Sequence, residues 1–263
     1  MQETLRASRK HERLFYAAGF AVFKCPLRRR SPFSQQVLLA LLTFGFQMAF
    51  SQNVERTDTS FIIVHGSRAQ KKIALTFDAC SPYRRSGYDK RIVDTLLATG
   101  TKATFFLGGR WILAHPNETR YLASLPQFEL ANHTFTHRHL TETSEDSVRL
   151  ELRLTQEALK KFAGRPAAFF RPPYGETDKR VVAIAGKMGL TTVQYDLASG
   201  DPDTTFTRER LERYVVNAAQ NGSIIVMHVN GRGWHTAEAL PGIIRKLREK
   251  GFELVTVGEL ARQ

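Results

Sequence analysis

The sequence predicts an α/β protein built on parallel strands, with seven candidate strands suiting a (β/α) barrel slightly short of eight or an open sheet. Two observations carry this. From Lys71 onward, short apolar runs rich in β-formers alternate with longer segments of helical periodicity. Such alternation places helices outside a parallel sheet. Polar residues also recur at or just after the ends of the apolar runs, where α/β folds gather their functional groups.

The strand-like runs are residues 73–77, 103–107, 128–131, 167–170, 191–195, 223–227 and 252–257. Helical patterns fall between them. Residues 89–98 place Ile92, Val93, Leu96 and Leu97 on one face. Residues 144–162 open on a Ser/Glu/Asp cluster suited to a cap and first turn, with Leu150, Leu152, Leu154 and Leu159 as apolar positions. Residues 177–188, 207–219 and 236–250 complete the set, with Gly189 and Gly251 at the expected helix ends.

The 263 residues suffice for one such domain and an extension, expected as 71–263 after a linker or irregular first strand at 52–70. The net charge is +13, of which residues 1–51 carry +6. Arg28, Arg29 and Arg30 precede an apolar stretch from Val37 to Phe46, and Ala49 and Ser51 stand three and one residues before Gln52. This is the basic, apolar, small-residue order of a secretory signal cut before Gln52. The apolar core is short for a membrane span. An uncleaved anchor, or contact of this segment with a membrane, is the competing expectation. Export to the periplasm, cell envelope or medium follows from either. With Cys25 in that segment, Cys80 would be alone in the mature chain, and no internal disulfide is expected. No nucleic-acid-binding motif accompanies the basic charge, so nucleic acid is not an expected partner.

Asp78 ends the first apolar run and suits a base, a metal ligand or a helix cap. His133 and His137 would share a face if their segment were helical, and two imidazoles so placed can reach one metal ion. Arg171 opens Arg-Pro-Pro-Tyr-Gly, either a rigid turn or a turn carrying a guanidinium fork for a carboxylate. His228 ends the run 224–227; it is either a core histidine or, with an Asp partner, an acid for a departing amine.

Together these residues resemble the NodB-like polysaccharide deacetylases, carbohydrate esterase family 4. Thr76-Phe77-Asp78 resembles the family's first motif, His133-Thr134-Phe135-Thr136-His137 its second and Arg171-Pro172-Pro173-Tyr174-Gly175 its third. Ser199-Gly200-Asp201 and Val226-Met227-His228 match parts of the fourth and fifth. The resemblance runs from Lys71 to about Leu260. It implies a distorted (β/α) barrel, a divalent metal, often zinc, and removal of N-acetyl groups from an amino-sugar polymer such as peptidoglycan or a chitin-like glycan. It further implies His133 and His137 as ligands, Asp78 as base, and Arg171 orienting Asp78. The backbone N–H near Tyr174 would hold the oxyanion, and His228, tuned by Asp201, would serve as acid.

The chain departs from the family's pattern at Ala79, where a second Asp usually supplies a metal ligand, and at Cys80, usually Gly. Ala198 and Pro202 replace an Asp and a Trp of the fourth motif. Asp89 is the expected substitute ligand, favoured over Cys80, with capping of the following helix as its alternative role. Two other functions stay open: a catalytically impaired glycan-binding module, and an amide or ester hydrolase acting on a small molecule.

Overall fold

The computed structural model describes residues 61–80 and 87–262. The expected signal segment and its cleavage site lie outside the described residues. Strands β1 (Ile62–Ile63), β2 (Lys72–Ala79), β3 (Ala103–Leu107), β4 (Phe128–Asn132), β5 (Phe169–Phe170), β6 (Thr191–Val193), β7 (Leu197–Ala198), β8 (Ile224–His228) and β9 (Glu253–Val255) form one sheet. Its order is β1-β6-β5-β4-β3-β2-β8-β7, with β9 paired to the start of β2. Every pairing given for the described strands is parallel. This is the distorted, incompletely closed α/β barrel that the resemblance implied, and it decides between the barrel and the open sheet that the alternation left open. All seven expected strands are present, several of them shorter than expected. Two are additional: β1, within 52–70, and β7.

Helices α1 (Lys90–Ala98), α4 (Glu145–Ala163), α5 (Lys179–Lys187), α6 (Arg208–Ala218) and α7 (Thr236–Glu249) fall where periodicity put them. Gly189 and Gly251 take positive φ at the ends of α5 and α7, a conformation that spares only glycine a steric cost. Short helices α2 (Gly109–Ala114), α3 (Pro116–Ser124) and α8 (Val257–Ala261) are additional; six and five residues give α2 and α8 too few turns for a clear stripe, and α3 buries just Thr119 and Leu122.

Strand alternation divides β2 between two environments. Ile73, Leu75, Phe77 and Ala79 join the large apolar cluster that takes in α1 and α7. Ala74 joins a smaller cluster with Phe106, Ala131, Val193 and Ile224, closed by Val257 and Leu260. Thr76 and Asp78 follow Ala74 on the same side. The strands are buried at both faces, which explains their near-continuous apolar sequence.

One helix face is corrected. The buried stripe of α4 is Val148, Glu151, Leu152, Thr155, Ala158 and Leu159, and Leu150 is exposed. Spacing of three and four residues, not the nearest leucines, defines the face.

Candidate active site

The groups at the strand ends converge on one open cavity of about 220 Å³. Asp78, His133, His137, Tyr174, Asp201, His228 and Arg232 are among its lining residues. Asp78 stands near the end of β2, His228 ends β8, His133 follows β4 and Arg171 follows β5. Backbone bonds extend the sheet into these positions: His133 N–H donates to Leu107 O and Arg171 N–H to Asn132 O.

Arg171 is fully buried. Its Nη1 donates to Asp78 Oδ1 at 2.7 Å and to Thr76 Oγ1 at 2.8 Å, and its Nη2 to Gln194 O at 3.2 Å. The guanidinium carbon lies 3.9 Å from the centre of the Phe106 ring. Burial alone would raise the Asp78 pKa, but the charge and hydrogen bond of Arg171, with the charge of His228, hold it below the ordinary value. The expected Arg171–Asp78 pairing is therefore present as a buried, charge-assisted contact.

The segment 133–137 is not helical. Thr134 and His137 have φ of 62° and 60°, and this folded loop brings the two imidazoles to a centroid separation of 4.9 Å. Its shape comes from outside the motif. Asn132 Oδ1 accepts from Thr134 N–H, while Glu151 Oε2 accepts from Phe135 and Thr136 N–H, at 2.7 to 2.9 Å. Thr136 Oγ1 also donates to Glu151 Oε1. Glu151 was missed in the sequence because acidic residues on helices are ordinarily solvated; its signal was its place on the apolar stripe of α4.

His133 Nδ1 contacts Arg171 O at 2.9 Å, which leaves Nε2 facing Asp78 Oδ2 at 3.7 Å. Burial holds both histidines below their ordinary pKa, His137 down to about 3 with His133 adding repulsion. They are neutral, the form that binds metals. His137 Nδ1 is buried with no hydrogen-bond partner. Other donors are wanting. Asp89 caps α1 through Arg91 N–H at 3.1 Å and pairs with the Arg91 guanidinium at 2.7 Å. It is not among the residues lining the cavity. The structure thus gives Asp89 its capping role and does not bring it to the histidines. The loop from 81 to 86 that would have returned it lies outside the described residues. The Cys80 thiol is buried and raised in pKa by that burial, and Ala79 packs in the outer apolar cluster. Among the described residues no group of three His, Cys, Asp or Glu side chains could hold a metal ion. The donors present fall one ligand short of a conventional zinc site.

Beside Asp78 on the neighbouring strand, His228 Nδ1 lies 2.9 Å from Asp201 Oδ1, and its backbone N–H donates to Asp201 Oδ2 at 2.7 Å. Thr236 and Ser199 hydroxyls donate to the same carboxylate. Burial would lower the His228 pKa, but the hydrogen bond and charge of Asp201 raise it above the ordinary value. Tyr174 occupies the left-handed region, φ 60° and ψ 4°, within the turn Pro173–Gly175. Its ring stacks on His139 at 3.9 Å, and its hydroxyl donates to His137 O at 3.2 Å. This non-glycine residue is held in a conformation of higher energy, as residues shaping active sites often are. Arg232, also on the wall, was not expected from the sequence, where it sits in a glycine-rich loop with no motif of its own.

A parallel barrel with an Arg-held carboxylate and an Asp–His pair facing one cleft has the layout of a hydrolytic site at the carboxyl ends of an α/β sheet. The comparisons narrow the class. The polysaccharide deacetylase family model matches residues 65–193. A peptidoglycan-N-acetylglucosamine deacetylase of Bacillus cereus is 30% identical over 195 residues, covering 73% of this chain and 69% of the relative. A bifunctional xylanase/deacetylase of Pseudobutyrivibrio xylanivorans is 33% identical over 197 residues; the match covers 73% of this chain but only 30% of that longer protein. Among solved structures, a CE4 family pseudoenzyme from Bacillus anthracis has a TM-score of 0.70 at 27% identity, covering 76% of this chain and 69% of its own. This chain belongs to the polysaccharide deacetylases of carbohydrate esterase family 4.

Proposed function

We propose that the chain removes N-acetyl groups from an amino-sugar polymer, peptidoglycan or a chitin-like glycan, outside the cytoplasm. One observation carries this reading: Asp78, held by Arg171, and His228, held by Asp201, face a common cleft whose wall includes the Tyr174 turn. Amide hydrolysis needs a base for water, donors for the oxyanion and an acid for the amine. Asp78 accepts the proton of a water attacking the acetamide carbonyl. The Tyr174 backbone N–H donates to the oxygen as it gains charge. His228 protonates the nitrogen as the C–N bond breaks, leaving acetate and a free amine. Arg171 and Asp201 position their partners. His133 and His137 are the donors offered to a divalent ion such as zinc; because they fall a ligand short, no step is drawn through it.

A second reading, a glycan-binding module with impaired turnover, is favoured by Ala79 and by the low Asp78 pKa. Asp78 stays ionised, but it is a weak proton acceptor. A structural neighbour described as a pseudoenzyme supports the same reading. Acetate release from a panel of N-acetylated oligosaccharides, with and without added zinc, separates the two. Release supports the deacetylase; binding without release under either condition supports the module; neither binding nor release sinks both. Export is part of the proposal, resting on the basic and apolar order of residues 28–52. N-terminal sequencing of protein from the cell envelope or medium is expected to begin at Gln52. A full-length product embedded in membrane would favour the anchor.

A further inference from the structure

Two carboxylates in the cleft already have partners. The Asp78 carboxylate is matched by buried Arg171, and Asp201 by His228 and two hydroxyl donors. What is left on the wall is the Arg232 guanidinium, for which the described residues supply no carboxylate partner; its side-chain contact is the Cys80 thiol. A cation on the wall with no carboxylate partner among the described residues favours an anionic group on the ligand.

The loop that carries Arg232 is pinned on both sides. Asn230 Nδ2 donates to Cys80 O at 2.8 Å, and Asn230 Oδ1 accepts from Arg232 N–H at 3.3 Å. Trp234 N–H donates to Asp201 O at 3.0 Å. Gly233, between them, has no room for a side chain, since a Cβ would meet Asp201 Oδ2 at 2.5 Å as well as Thr236 Oγ1. Arg232 is thus held on the cavity wall by a loop fastened to Asp201, the partner of His228. A planar fork so presented matches a carboxylate in two parallel hydrogen bonds.

We propose that Arg232 determines specificity by binding a carboxylate carried on the sugar polymer beside its N-acetyl group, so that the substrate class is an acidic amino-sugar polymer. This deepens, and rests on, the reading of the cleft as a glycan site. The test uses a lactyl-substituted N-acetylglucosamine tetrasaccharide as free acid and as methyl ester, which differ only in the charge. Kd is measured by calorimetry on the full chain, so the result does not depend on turnover. The wild type is expected to favour the acid by about 10- to 100-fold, the range of a charge-assisted hydrogen bond. Arg232→Gln should bring the ratio close to one, and Arg232→Lys, with charge but no fork, should fall between. Equal binding of acid and ester by the wild type would overturn the role of Arg232 and leave the glycan reading standing. An unchanged preference in a folded Arg232→Gln protein would do the same. Binding of neither form would overturn both.

Discussion

Replacing Arg171 by Met should destabilise the protein by about 3–5 kcal/mol at pH 7, because it strands a buried carboxylate. The side chains of Arg171 and Asp78 are 1% and 8% exposed and joined at 2.7 Å. Water can therefore do little for Asp78 once its partner is gone, and Thr76 and Gln194 O lose a donor as well. The double variant Arg171→Met, Asp78→Asn removes both charges, and should be less damaged than the sum of the singles by at least about 2 kcal/mol. Acid gives a second signature. In the wild type Asp78 has a lowered pKa, so its contribution is present above the unfolded value and lost as pH falls through the folded one. In Arg171→Met burial acts with the Arg171 charge gone, and the pKa rises. Protonation then relieves the stranded charge, narrowing the gap to wild type by up to about 1.4 kcal/mol per pH unit. Urea unfolding followed by the fluorescence of Trp111, which is fully buried, would measure this at pH 7 and pH 5. A gap below about 1 kcal/mol at pH 7, or one that does not narrow in acid, would refute the account of the pair.

Other outcomes follow from the same geometry. Asp78→Asn and His228→Ala should each reduce acetate release about 10²–10⁴-fold with the fold intact; near-normal release from either would reject its assignment. Asp201 raises the His228 pKa against burial, so Asp201→Asn should move the imidazole titration, followed by NMR, to lower pH; an unmoved midpoint would discount the pair. His137 stays neutral down to about pH 3, while its unfolded form gains a proton near pH 6.5. Stability should therefore fall on acidification between these values, and His137→Gln should flatten that slope by about 1.4 kcal/mol per pH unit. An unchanged slope in the variant would show that the histidine titrates normally. Asp89→Ala should cost about 1 kcal/mol through the lost cap and leave zinc affinity unaltered; a tenfold weaker metal titration would return Asp89 to the ligand set.

The sequence alone determined a parallel α/β fold and the candidate groups of the site. Strand runs such as 103–107 are buried on both faces and cannot be mistaken for solvent-facing segments, and the amphipathic helices repeat every three to four residues. Asp78, His133, Arg171, Asp201 and His228 could be read because a parallel sheet delivers the carboxyl ends of its strands to one place. Tertiary structure decided how the 133–137 loop folds, because two positive-φ residues need the distant carboxylate of Glu151 and the amide of Asn132 to hold them. It also decided between two roles for Asp89 that local sequence supports equally, since a capping carboxylate and a ligand differ only in what the fold brings within reach. Arg232 was invisible for the same reason. Its charge acquires meaning only where the folded loop, fastened to Asp201, sets it beside groups far away in the chain.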